Sequence, residues 1–337
     1  MGENVMGGDS LTLGICELKK LAELGLSFNS FDGHHLKCLS NLTYLKLLDL
    51  SSNQLSGKYL SSIIADLTSL EYLSLSDNNL EGSLTYDMFQ PTSENRFQTY
   101  PLKVLNIKNC NLDAIPGFLL YHYNLRSVDL SDNKLIGTFP TWLLQNNTKL
   151  QVLRLRNNNS FSGILQVPNS KCNLLHLDIA NNNFSSQLPE NIGELPNHFV
   201  NGCFSLELLR LSDNKFHGQI FPGQMNLTQL LWLYLDNNNF SGKIGDGLLN
   251  ATSLLVLDIC NNKVSGQIPH WIGKFSNLAY LLMSKNLLES TVPVQLNNLK
   301  SLNMLDISEN RLFGSIASDF NLSSVSYLYM QENAFSG

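Results

Sequence analysis

The amino-acid sequence predicts an α/β solenoid, in which consecutive repeats stack side by side and share one parallel β-sheet. Two observations predict this fold. The phrase L-x-x-L-x-L-x-x-N recurs thirteen times along the 337 residues, and most successive copies begin 23 to 25 residues apart. Each copy also alternates apolar and other residues as a strand does. The copies begin at Leu21, Leu45, Leu70, Leu102, Leu125, Leu150, Leu174, Leu206, Leu230, Leu254, Leu278, Leu302 and Val325.

Residues 254–262, LLVLDICNN, illustrate the predicted strand. Leu257 and Ile259 point into the coil, because they alternate with residues that point outward. Stacked copies place such strands side by side, about 4.8 Å apart. The outward side chains of all copies therefore form one continuous surface, which we expect to be the concave face of the solenoid.

An Asn ends almost every copy of the phrase and is predicted to be buried. A buried amide must satisfy its hydrogen bonds, and stacked turns offer backbone partners at every layer. We therefore expect an internal ladder of asparagines. Cys110 replaces the Asn in the fourth copy, where we predict a structural role for its small thiol.

The residues after each Asn predict the convex side of the solenoid. They read x-L/F-x-G and often continue to a Pro, as in KVSGQIP at residues 263–269. Gly permits a tight backbone turn, and Pro ends strand pairing. We expect the rest of each repeat to be loop or short helix.

Four segments describe the predicted domain organisation. Residues 1–20 form a partial N-terminal repeat without a cap, and residues 21–337 form the solenoid. Two steps of 32 residues interrupt the rhythm. The first contains residues 86–101, which are polar, bounded by Pro and predicted to leave the coil as a loop. The second contains an irregular seam at residues 187–203, which we interpret as the place where one repeat was lost.

Composition and motifs exclude several classes of function. The formal net charge is −6 and no Lys/Arg-rich run occurs, so no nucleic-acid partner is expected. The N-terminus does not read as a signal peptide, and no apolar stretch reaches the ~18 residues that span a bilayer, so no membrane insertion by this chain is expected.

No catalytic, phosphate-binding or zinc-binding motif occurs, which predicts no enzyme, no metal and no cofactor. The spacing of the six cysteines leaves disulfide connectivity undetermined.

The full phrase, L-x-x-L-x-L-x-x-N-x-L-x-G-x-I-P, resembles the plant-type leucine-rich repeat. Residues 45–57, LKLLDLSSNQLSG, and residues 254–273, LLVLDICNNKVSGQIPHWIG, are similar to the extracellular region of plant leucine-rich-repeat receptor-like proteins. The resemblance covers residues 11–337 and implies a right-handed superhelix with its sheet on the concave face. Intact members are glycosylated and anchored at the extracellular face of the plasma membrane. The signal peptide and transmembrane segment of such members are not visible here, which predicts a truncated chain.

The resemblance also implies a function without catalysis. We expect a domain that recognises a peptide, protein or glycan outside the cell and signals through a partner co-receptor kinase, in defence or development. Three alternatives stay open. The chain could be a soluble apoplastic inhibitor or binding protein, a fragment of a receptor-kinase ectodomain, or a non-functional truncated gene product.

Arginine and aromatic side chains on the predicted concave face are the candidate ligand-binding residues, because these residue types dominate binding hot spots. The competing interpretation is structural. Arg154, Asp178 and Arg210 lie on neighbouring strands and can pair with one another, and aromatic residues can simply pack across strands. The candidates are Arg154, Arg156, Arg210, Trp232, Tyr234 and Tyr280.

Sequons of the form Asn-x-Ser/Thr predict glycosylation where they fall on the convex segments. Asn158 also lies in a sequon, but it is a ladder residue, so we expect it to remain without a glycan. Four sequons on one surface favour a chain that evolved in the secretory pathway. The predicted glycosylation sites are Asn41, Asn226, Asn250 and Asn321.

Overall fold

The computed structural model divides the chain into two compact units, Met1–Phe161 and Ser162–Gly337. Apart from Pro101, the predicted loop at 86–101 lies outside the described residues, as do most of the seam at 187–203 and the first thirteen residues. The described residues are 14–64, 66–81, 101–168, 172–189, 192, 203–223, 225–316, 320 and 322–336.

Three-residue strands form a parallel sheet in the first unit. Each strand pairs with the next one in chain order, and the register brings equivalent repeat positions together, as Leu48 with Leu73. The buried middle residue of each strand anchors it to the core, and its neighbours face outward. The strands are Glu23–Gly25, Leu47–Asp49, Tyr72–Ser74, Val104–Asn106, Ser127–Asp129 and Val152–Arg154.

The second unit repeats this arrangement. Its strands also pair in parallel and in register, as Leu233 with Leu257, and both of these side chains are fully buried. Among the described residues, every predicted copy of the phrase contains one such strand, which confirms the predicted solenoid. The strands are His176–Asp178, Leu208–Arg210, Trp232–Tyr234, Val256–Asp258, Tyr280–Leu282, Met304–Asp306 and Tyr327–Tyr329.

A second set of strands, which was not expected from the sequence, lies in the tails after the asparagines. Stacked tails bring extended backbones of successive repeats into register, so that Gly218 opposes Phe240 and Gly266 opposes Leu288. Gly218 and Gly266 both have positive φ, of 81° and 75°, which favours glycine at this turn. These strands are Gly137–Thr138, Phe161–Gly163, Asn183–Phe184, His217–Gly218, Asn239–Gly242, Lys263–Gly266, Leu287–Leu288, Phe313–Gly314 and Ala334–Phe335.

Short helices fill the segments between the tails and the next strands, as predicted for the convex side. A Pro immediately precedes four of these helices. Since Pro has no backbone N–H to donate, it ends the strand pairing of the tail just before the helix begins. The α-helices are Gly57–Ile64 and Thr141–Asn146, and the 3-10 helices are Lys37–Asn41, Gly117–Tyr121, Asp246–Leu248, His270–Lys274 and Val294–Asn298.

The predicted asparagine ladder is present in both units. In the second unit, Asn238 donates from Nδ2 to the carbonyl oxygens of Leu211, Leu235 and Asp236, at 3.0, 3.1 and 3.0 Å. Its Oδ1 accepts the backbone N–H of Phe216 at 2.9 Å. One buried side chain thus links two repeats, which satisfies the amide and joins adjacent layers.

Cys110 takes the ladder position in the fourth copy, as predicted. Its buried Sγ lies within hydrogen-bond distance of two carbonyl oxygens, that of Leu75 at 3.0 Å and that of Lys108 at 3.3 Å. Burial raises the pKa of this thiol to about 12, so it stays protonated at neutral pH. The protonated thiol keeps its S–H, which can donate to one of these two carbonyls.

Each unit contains one disulfide. Cys16 pairs with Cys38, with 5.8 Å between their Cα atoms, and Cys172 pairs with Cys203, with 4.6 Å. The partners are 22 and 31 residues apart. These bridges settle the connectivity that spacing alone leaves open, and Cys110 and Cys260 remain as thiols.

Candidate ligand-binding surface

The outward side chains on the strands of the second unit form one surface, here called the sheet face. The first residue of each strand contributes to an apolar row and the third residue to a charged row, and pairing in register makes both rows continuous. The apolar row is Leu208, Trp232, Val256, Tyr280, Met304 and Tyr327, with His176 before it. The charged row is Asp178, Arg210, Tyr234, Asp258, Leu282, Asp306 and Tyr329.

The apolar row presents large side chains that keep contact with water. Tyr280 is 39% exposed and Tyr327 is 53% exposed, while Trp232 and Met304 are half-buried. Neighbouring strands lie about 4.8 Å apart, so these side chains form a continuous strip across the sheet. Aromatic side chains held by a regular sheet offer contact area with little entropy left to lose on binding.

Arg210 and Tyr234, two of the predicted site residues, lie against each other. The guanidinium carbon of Arg210 is 4.4 Å from the centre of the Tyr234 ring, in a cation–π contact. Its Nη1 also lies 3.9 Å from Oδ2 of Asp178, which is buried. The charge of Arg210 is therefore balanced within the protein, as the competing interpretation of the sequence allows.

Three aspartates give the sheet face an excess of negative charge. Asp258 and Asp306 lie in the charged row, and Asp236 follows Tyr234 two residues further along the same face. They accept hydrogen bonds from neutral groups: Asp258 from the N–H of Cys260 at 3.0 Å, and Asp306 from the hydroxyl of Ser308 at 2.6 Å.

The pKa of Asp258 shows the effect of this negative charge. Desolvation by burial, with further repulsion from Asp236 and Asp306, raises the pKa of the Asp258 carboxyl to about 6. On the described strands of this face, Arg210 pairs with Asp178, and His176, which carries a charge only when it is protonated, lies 3.6 Å from Glu207. The three aspartates are thus acceptors without a cation among the described residues.

Arg154 and Arg156 belong to the first unit, so the predicted site is divided between the two units. Nη1 of Arg154 lies 3.8 Å from Oδ2 of Asp129, on the adjacent strand. Arg156 follows the same strand and is half-buried. Burial alone would raise the pKa of Asp132, but hydrogen bonds from Asn157 and Lys108, together with the positive charges of Lys108 and Arg156, lower it. The second unit brings together only Arg210, Trp232, Tyr234 and Tyr280.

A polar groove of about 650 Å³ lies in the first unit. The side chains that line it already bond to one another, as Asn109 does to Asp77 at 2.9 Å and Asn111 to Asn79 at 3.2 Å. These hydrogen bonds join side chains of neighbouring repeats. The lining residues are Asn53, Gln54, Asp77, Asn78, Asn79, Asn109, Asn111, Asp132, Asn133 and Lys134.

The structure separates the predicted glycosylation sites by accessibility. Asn41 and Asn250 are exposed, at or after the end of a 3-10 helix, and Asn226 is half-buried. Asn158 is fully buried in the ladder, as predicted. Asn321 lies outside the described residues.

Within the described ranges, no group of three or more His, Cys, Asp or Glu side chains is placed to hold a metal ion. None of the described helices has both the length and the apolar character that crossing a membrane requires.

The candidate residues chosen from the sequence do not include the aspartates. Asp236, Asp258 and Asp306 stand at outward repeat positions in the printed sequence, so their place on the sheet face was predictable. The candidate site was instead selected from arginine and aromatic residues. Counting acids against cations at the outward positions would have revealed the negative surface.

Two models of the leucine-rich repeat match the chain, one over residues 19–83 and 252–312, the other over residues 124–146 and 173–195. Together with the one-strand repeats, these matches define the class of protein. The chain belongs to the leucine-rich-repeat family.

Its relatives within that class are plant receptor-like proteins. Receptor-like protein 15 of Arabidopsis thaliana is 40% identical over 287 residues, which cover 67% of this chain and 29% of that protein. Receptor-like protein 13 of the same plant is 39% identical over 288 residues, which cover 64% and 26%. The chain therefore has the repeats of a plant leucine-rich-repeat receptor-like protein, and it spans less than a third of the length of these relatives.

Solved plant ectodomains share the fold. The Arabidopsis receptor kinase HAESA, in complex with the peptide hormone IDA and the co-receptor SERK1, superposes with a TM-score of 0.77 and 30% identity, over 96% of this chain and 51% of HAESA. The ectodomain of the Arabidopsis receptor kinase GASSHO1/SCHENGEN3, in complex with CASPARIAN STRIP INTEGRITY FACTOR 2, gives 0.74 and 31%, over 95% and 40%.

Proposed function

We propose that the chain is the ligand-recognition region of a plant receptor-like protein, that it acts outside the cell and that it binds a peptide on the sheet face. The observation that carries this proposal is the partly exposed apolar row of the second unit, which crosses adjacent strands of a regular sheet. HAESA, which shares the fold, binds a peptide hormone.

Each predicted site residue of the second unit has a role in this proposal. Trp232 and Tyr280 supply apolar contact area to the peptide, since Val256 alone lies between them in the row. Tyr234 presents its ring edge, and Arg210 holds that ring in place. Arg154 and Arg156 are candidates for a separate contact on the first unit.

The remaining features of the proposal come from the same relatives. The chain is non-catalytic and signals in defence or development through a partner kinase, since HAESA binds a co-receptor in its complex. In the intact protein it lies on the extracellular face of the plasma membrane and carries glycans at Asn41, Asn226, Asn250 and Asn321.

A receptor-kinase ectodomain is the second candidate, because the solved structures named above are receptor kinases. Sequence identity favours the receptor-like proteins, at 40% against 30% for HAESA. The two candidates make the same prediction for the sheet face, since both bind a ligand there.

Selection from a random peptide display library on the 337-residue chain tests the proposal. We expect enriched peptides whose binding falls at least tenfold with Trp232→Ala or Tyr280→Ala, because each change removes a buried contact of order 1.4 kcal/mol or more. Tyr123→Ala is the matched control, since Tyr123 is 49% exposed and lies in the first unit. Failure to enrich any peptide, or enriched peptides insensitive to both sheet-face changes, would refute the proposal.

A further inference from the structure

The charges of the sheet face define what kind of peptide fits the apolar row. Among the described strand residues of this face, Arg210 is the one Lys or Arg side chain, and it already lies between Asp178 and the Tyr234 ring. Further along the strands, Lys285 lies 3.6 Å from Glu309. A ligand that approaches this surface therefore meets cations that are paired and aspartates that are not.

The unpaired aspartates lie beside the apolar row over the same strands. Asp258 shares a strand with Val256, and Asp306 shares a strand with Met304. Each aspartate is two residues from its apolar neighbour, which is about 6.6 Å along a strand, and both side chains point outward. Two parallel strips, one apolar and one acidic, thus run across the sheet.

An extended peptide laid across the strands would match both strips at once. Its side chains alternate between two edges, because a strand has a period of two residues. One edge would rest on Trp232, Tyr280 and Met304, and the other would face the aspartates. Asp258 and Asp306 are two strands apart, about 10 Å, which the long stems of two Lys or Arg side chains on one edge can reach.

The raised pKa of Asp258 supports this match. Desolvation by burial is the largest cause of the shift and repulsion from Asp236 and Asp306 adds to it, so the folded protein carries an electrostatic cost at this position that a cation would relieve. An anionic ligand would add to the repulsion. To pair with Arg210, an anionic ligand would also have to displace that side chain from Asp178, and Asp178 is buried.

We infer that the ligand of the sheet face is an extended peptide with apolar side chains on one edge and basic side chains on the other. The apolar edge binds the apolar row, and the basic edge binds Asp236, Asp258 and Asp306. This inference rests on the proposed function and adds the chemistry of the peptide to it.

Three acetylated and amidated ten-residue peptides, in which Val alternates with Arg, with Ser or with Glu, test the inference by fluorescence anisotropy at pH 7.5. We expect the Val/Arg peptide to bind at least tenfold more tightly than either of the others, and its binding to weaken between 50 and 200 mM salt. Asp258→Asn and Asp306→Asn should each weaken it about three- to tenfold. Glu289→Gln is the matched control, because Glu289 is exposed and lies outside the sheet face.

Two further outcomes separate this inference from the proposed function. Library peptides that bind the sheet face without enrichment in Lys or Arg would overturn the inference and leave the proposed function standing. A Val/Arg peptide whose affinity is unchanged by Trp232→Ala would be held by charge alone, which would also overturn the inference. If the library yields no peptide at all, the proposed function is refuted, and the inference that rests on it is refuted with it.

Discussion

The guanidinium carbon of Arg210 lies 4.4 Å from the centre of the Tyr234 ring, on the adjacent strand of the second unit. Asp178, on the other neighbouring strand, lies 3.9 Å from the same guanidinium group. Three strands are thus connected through one side chain. The arrangement gives Arg210 a structural role, and under the proposed function ligand contact falls mainly to the aromatic and acidic residues around it.

Removal of Arg210 should therefore reduce stability more than it reduces ligand affinity. We expect Arg210→Ala to lower the free energy of unfolding by about 1–2 kcal/mol, from the loss of a cation–π contact and a partly buried ion pair. A double-mutant cycle with Tyr234→Ala, followed by urea unfolding, should show a coupling energy of about 0.5–1 kcal/mol. Strictly additive effects would show that the two side chains do not interact in solution.

The sequence predicts this neighbourhood correctly but does not predict which way the Arg210 side chain turns. Repeat spacing places Arg210 between Asp178 and Tyr234, because parallel strands in register align equivalent positions. The sequence does not specify whether an arginine extends towards solvent or turns onto a neighbouring ring. That choice depends on rotamers and on the local balance of charge, which become visible only when the side chains are packed.

The same contrast holds for the rest of the fold. The asparagine ladder was predictable, because one repeated residue must satisfy its amide in the same way in every layer. The Cys172–Cys203 bridge was not, because it joins residues 31 apart across an irregular step where the repeat gives no register. The second set of strands was also not predicted, since strands of two to four residues are too short to show the apolar alternation that identifies a strand in a sequence.

Asn238 offers a direct test of the ladder. Asn238→Ala removes three donated hydrogen bonds and one accepted bond, and it leaves the backbone N–H of Phe216 without its acceptor in the core. We expect the free energy of unfolding to fall by about 2–4 kcal/mol, as measured from urea unfolding followed by circular dichroism. Asn277→Ala, at an exposed position, is the control and should change stability by less than about 0.5 kcal/mol. Equal effects of the two substitutions would contradict a special role for the ladder.

Glycan occupancy should follow the accessibility of the sequons. When the chain is secreted from plant cells behind an added signal peptide, we expect glycans at Asn41 and Asn250, which are exposed, and none at Asn158, which is buried. Mass spectrometry of glycopeptides measures the occupancy of each site. A glycan on Asn158 would mean that this asparagine is accessible before the ladder forms, contrary to the prediction.

Asp258 should make the stability of the protein depend on pH. Its pKa is about 6 in the folded protein and near 3.8 when the group is unperturbed, so the folded state binds the proton more tightly. Stability from this group is therefore greatest below about pH 4 and is lost as the pH rises from about 4 to 6. Asp258→Asn keeps an oxygen that accepts the N–H of Cys260 and removes the charge that opposes folding.

The variant should consequently be more stable than the natural chain at pH 7.5, by about 1–3 kcal/mol, and should lose that advantage near pH 4. Urea unfolding at the two pH values measures both differences, with Glu289→Gln as the control for a change of net charge. Among the described residues, the groups that face Asp258 are Tyr234 and Leu282 on the adjacent strands, Cys260, and the aspartates at 236 and 306, and none of these is a cation that would reverse the sign. An advantage of the same size at both pH values would mean that packing, and not the carboxylate charge, determines the effect.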